Sequence, residues 1–111
     1  MLHHIYTEGP YNTRLDFLTD VPKNKVLYHF EKVDMKQAKE KLSGIAAICG
    51  NLSISNMEFG SKQQIIDETK YLLDTCMPGG GYLFDFNGLL ENCKKENLDV
   101  MFETLDKYGK Y

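Results

Sequence analysis

Four short runs of β-favouring residues alternate with stretches whose apolar residues recur every three or four positions. The first run is "LHHIYTEG". It is followed by "YNTRLDFLTDVP", which reads as a short helix or turn ending at Pro22. "KVLYHFEKV" is the second run, rich in β-branched and aromatic residues. A helix starts at Asp34: Asp34 and Gln37 have capping-box spacing, and Met35, Ala38 and Leu42 share one face. Gly44 closes it. "IAAICGNL" is the third run, apolar throughout, as a strand covered on both faces would be. "SISNMEFG" reads as a loop. Ser61 and Gln64 form a second capping box, opening a helix with Ile65, Ile66, Thr69, Leu72, Leu73 and Cys76 on its inner side; Pro78 and three glycines end it. "YLFDFNGL" is the fourth run. "KKENLDVMFETLDKYG" is the last helix, predicted to turn Leu98, Met101, Phe102, Leu105 and Tyr108 inward.

Strands alternating with helices predict an α/β fold with parallel strands, here four strand-then-helix units, (βα)4, in a single domain over 1–111. Side chains alternate along a strand, so parity sorts them into two faces. Val26, Tyr28 and Phe30 oppose Leu27, His29 and Glu31; Tyr82, Phe84 and Phe86 oppose Leu83, Asp85 and Asn87. One face is apolar and suits packing against helices. The other turns polar toward each strand's C-terminal end, as also in Leu2-His4-Tyr6-Glu8 and Ile45-Ala47-Cys49-Asn51. That is the layout of a β/α-barrel wall, whose chemistry gathers at the C-terminal rim. Six residues would ring that opening: Glu8, His29, Glu31, Asn51, Asp85 and Asn87.

Composition narrows the chemistry. The net charge is −3 with acids and bases interspersed, so no basic face awaits nucleic acid. No apolar run approaches the roughly 20 residues of a membrane span, and the start does not read as a signal peptide. The three cysteines are odd in number and lack a C-x-x-C pair, which argues against a disulfide framework or zinc knuckle and for reduced thiols in the cytoplasm. No Ser/His/Asp set is visible, and "PGGGY" precedes a strand instead of opening a helix, so it is no phosphate loop. His29-x-Glu31 points two ligand types the same way, but a pair alone makes no metal site, and no metal is expected.

Three stretches resemble the uroporphyrinogen decarboxylase family. They are "AAICGNLSISNMEFGSKQQIIDETKYLLD", "GGGYLFDFNGLLENCKKENLDVMFETLDKYGKY" with its Glu96-Asn97-Leu98 and terminal Tyr-Gly-x-Tyr, and "TEGPYNTRLDFLTDVPKNKVLYHFEKVDMKQAKEKL". The last is similar to the branch of corrinoid-dependent methyltransferases and demethylases. The family fold is one eight-stranded TIM-type β/α barrel, so the resemblance implies its C-terminal half, with "MLHHIYTEG" as an internal strand. The branch's zinc ligands, a His-x-Cys pair and a later Cys, fall on Tyr6, Glu8 and Asn87, which depart from the pattern. What the resemblance implies is one side of a pocket for a tetrapyrrole or corrinoid-type ligand. Glu8 and His29 would be catalytic proton carriers, and Glu31, Asn51, Asp85 and Asn87 substrate-binding groups. The chain alone would bind no cofactor and turn nothing over, a corrinoid belonging to the complete protein. The expected partner is a second copy in a two-fold homodimer or a complementary N-terminal half-barrel. The rival reading is a non-catalytic half-barrel module that self-associates or completes a partner.

Overall fold

The computed structural model describes residues 3–10, 15–88 and 93–109. Four strands, β1 (His3–Pro10), β2 (Val26–Lys32), β3 (Ala47–Cys49) and β4 (Tyr82–Leu83), form one sheet in the order β1-β2-β3-β4. All three pairings are parallel. A short 3-10 helix (Leu15–Thr19) lies between β1 and β2, where the sequence predicts a short helix or turn. Helices α1 (Met35–Leu42), α2 (Ile54–Phe59), α3 (Lys62–Cys76) and α4 (Lys95–Tyr108) complete the α/β fold. Among the described residues no helix is long and apolar enough to cross a membrane.

The helix starts follow from their caps. Asp34 accepts from the backbone N–H groups of Lys36 and Gln37, satisfying donors that the first turn of α1 leaves unpaired. Ser61 and Gln64 make the full reciprocal capping box of α3. Gly44, at φ +80°, takes the left-handed turn after α1 that a side chain would resist.

The core lies on one face of the sheet. Val26, Tyr28, Phe30 and Ile48 from the strands meet Met35, Ala38 and Leu42 of α1, Ile65, Leu72 and Cys76 of α3, and Met101 of α4. Tyr82, Phe84 and Phe86 pack against the same cluster, as their parity requires. The register aligns the other parity into rows: His4 beside Leu27 and Ala47, then Tyr6 beside His29, Cys49 and Leu83. That face is open at its two edges, with Tyr6 64% and Leu83 52% exposed, while His29 and Cys49 between them are buried.

Three expectations change. The third and fourth runs are longer as sequence than as ladder, and the break in β3 falls at Gly50, which turns at φ +111°. Pairing resumes beyond the interruption as a bridge between Leu52 and Phe86. The expected loop over 53–60 contains α2, capped by the Ser53 hydroxyl on the Asn56 N–H and pinned by buried Met57. On α4 the most buried residues are Asn97, Met101 and Thr104, while Phe102 is 55% exposed. The Asn97 amide explains the rotation: it donates to the carbonyls of Met57 and Gly60 at the end of α2, drawing its own side of α4 inward.

Candidate functional site

His29 sits in the middle of β2 on the open face, yet is only 6% exposed. His4 stacks on it with ring centroids 5.6 Å apart, and Tyr6 lies tilted against it at 4.5 Å. Its Nε2 lies 2.8 Å from the Phe86 carbonyl oxygen. A carbonyl can only accept, so the contact requires the proton on Nε2. Nδ1 is buried and has no hydrogen-bond partner among the described residues.

Next to this ring stand Asp85 and Cys49. Asp85 Oδ2 is 3.9 Å from His29 Nε2, and the Cys49 thiol donates to the same oxygen at 3.7 Å. The other Asp85 oxygen accepts the Phe86 N–H at 2.7 Å, which fixes the carboxylate's orientation. Burial, then the Asp85 charge and its hydrogen bond, push the Cys49 thiol up to about 12. It is a protonated donor here, with none of the thiolate character of an activated nucleophile.

Beyond the strand ends a cavity of about 580 Å³ is lined by Tyr6, Thr7, His29, Phe30, Glu31, Asp85, Asn87 and Gly88. Four of the six residues expected at the opening therefore share one cavity: His29, Glu31, Asp85 and Asn87. Asn51 does not line it. Its amide is committed to the ends of β2 and the following turn, donating to the Glu31 carbonyl at 3.2 Å and the Val33 carbonyl at 2.9 Å. It is a positioning residue of the strand end. Asn87 is partly committed too, since its Oδ1 accepts the Ile54 N–H at the start of α2. Glu8 belongs to β1 by backbone, and its side chain lies outside the described part of the chain.

Cys49 and Tyr6 are the functional-face residues that reasoning from the sequence passed over. Parity already put Cys49 on the inward side. What was missing was register, which sets it beside His29 and opposite the Asp85 segment. All three cysteines are free, as their number and spacing imply.

No family model matches the chain, and no curated protein is found to match it.

Proposed function

We propose that the chain is the C-terminal half-barrel segment of a uroporphyrinogen-decarboxylase-like protein, nearer its corrinoid methyltransferase branch. In this reading its open sheet face forms one side of a pocket for a tetrapyrrole or corrinoid-type ligand, and the chain alone has no turnover. The observation that carries the reading is the sheet itself: four parallel strands in sequential order, with the core on one face and His29, Glu31, Asp85 and Asn87 lining one cavity on the other. A doubly wound sheet reverses its strand order and covers both faces. A barrel wall keeps sequential order and places its chemistry at this rim.

Within the pocket His29 is the proton carrier and Glu31, Asp85 and Asn87 offer acceptors to ligand N–H and O–H groups, with Glu8 the second proton carrier by resemblance. Free cysteines suit the reducing cytoplasm. The positions where the branch carries zinc ligands do not fit zinc here. The Tyr6 ring is stacked among imidazoles and the Asn87 oxygen is held by α2. The test is a turnover assay on the purified chain, alone and with an added N-terminal half-barrel. Decarboxylation or methyl transfer only in the mixture supports the reading, while coproporphyrinogen formed by the chain alone contradicts it.

One feature favours the rival module. Tyr6 and Leu83, and the edges of β1 and β4, unpaired among the described residues, are a surface on which a second copy would close the sheet.

A further inference from the structure

The His29-Cys49-Asp85 cluster is a set that the family resemblance does not assign. We propose that His29 Nε2, Cys49 Sγ and Asp85 Oδ2 form a binding site for a zinc-class divalent metal, with a fourth position open to the cavity. The inference is independent of the proposed family and replaces the expectation of a metal-free chain, which rested on Tyr6, Glu8 and Asn87.

The three ligand atoms lie within 4.8 Å of one another. Imidazole, thiolate and carboxylate are the three donor types zinc takes, at about 2.0–2.3 Å each, so tetrahedral ligands stand about 3.3–3.8 Å apart. The 3.7 Å and 3.9 Å separations from Asp85 Oδ2 are already near that spacing. β2 and β3 supply His29 and Cys49 in a register fixed by the ladder, and Asp85 follows β4 with its backbone carbonyl held by the Leu52 N–H. A chance cluster on mobile loops would lack that preorganisation. Three protein ligands leave one coordination position, the arrangement of sites that take a water or a substrate atom. His29 and Asp85 both line the 580 Å³ cavity, which supplies that position's approach.

Proton accounting closes. Binding replaces the Cys49 S–H bond with a metal–sulfur bond and releases that proton to solvent. The His29 proton moves from Nε2 to Nδ1, and the Phe86 carbonyl gives up its donor. Nδ1 is buried and bonds no described group, so it can take up the proton, while the ring gives up the Nε2–H bond to the Phe86 carbonyl that sets the present tautomer.

Titrating the full 111-residue chain with cobalt(II) reads the site directly, since a cobalt–thiolate bond gives an intense near-ultraviolet charge-transfer band. The expected result is a band saturating at one cobalt per chain, displaced by one zinc, and absent in Cys49→Ser. Asp85→Asn, at a half-exposed position that does not threaten the core, should weaken cobalt binding by about 10-fold or more, the size of effect that even the outer partners of metal ligands command. Glu31→Gln, in the same cavity but outside the ligand set, should leave it unchanged. No band in the folded wild-type chain overturns the proposal. So does a band that survives Cys49→Ser, which would move the thiolate to Cys93. If Cys49→Ser fails to fold, an unchanged affinity in folded Asp85→Asn is decisive against it.

Discussion

Replacing Asn51 with alanine separates a strand-end tie from a ligand-binding group. Its amide makes two hydrogen bonds, 3.2 Å to the Glu31 carbonyl and 2.9 Å to the Val33 carbonyl, and so holds the end of β2 to the turn after β3. Each such bond contributes about 0.5–1.5 kcal/mol net, so deleting both costs about 1–3 kcal/mol. With a urea slope of about 1–3 kcal/mol per molar, the unfolding midpoint should fall by about 1 M. Asn51→Asp keeps the shape but brings acceptors against two carbonyls, so it should lose at least as much. The assay is urea unfolding followed by far-ultraviolet circular dichroism on both variants and the parent chain. A midpoint unchanged in Asn51→Ala would refute the assignment and return Asn51 to the pocket as a ligand group.

Gly50→Ala should destabilise the chain by about 2–5 kcal/mol, because a Cβ there would meet the Phe30 carbonyl at 2.6 Å and the backbone sits at φ +111°; thermal unfolding measures it. Cys93, half-exposed, should react first with a thiol reagent at pH 8, while buried Cys49 and Cys76 react only on unfolding, as peptide mapping of the labelled chain would record. Those two thiols are raised to about 12 and about 11, so the folded chain retains protons that the unfolded chain releases above about pH 8.5. Their contribution to stability is full below that pH and is lost as pH climbs through 11 to 12, which a pH series of unfolding curves reads. Sedimentation at micromolar concentration should give about twice the 12.8 kDa chain mass, through β1 of one copy and β4 of the other, since burying the open face is favourable by about 25 cal/mol per Å²; a folded monomer contradicts it.

Strand positions and faces were legible because parity is local: Val26-Tyr28-Phe30 and Tyr82-Phe84-Phe86 announce the covered side without any tertiary information. The caps of α1 and α3 were legible for the same reason, since a Ser or Asp and the N–H it satisfies are two or three residues apart. Helix α2 was not, because six residues hold too few apolar positions to show a period, and its stability comes from Asn97 across 40 residues of chain and from Asn87. The same non-local bond turned α4, so Phe102, apolar and in phase with Leu98 and Leu105, ends up facing out. At the site, the sequence could nominate residues but not spend them. Only distances show that the Asn51 amide is used up on backbone carbonyls while Cys49, one parity step from Ala47, meets Asp85.

The most direct test of the open face as a ligand wall is a titration of the isotope-labelled chain with a diamagnetic corrinoid or uroporphyrin, followed by amide and side-chain NMR shifts. Perturbations confined to Tyr6, His29, Glu31, Asp85 and Asn87, around the cavity they line, are the predicted result. Shifts gathered on the outer side of α3 and α4, at Tyr71 and Phe102, or no shifts at millimolar ligand, would contradict it.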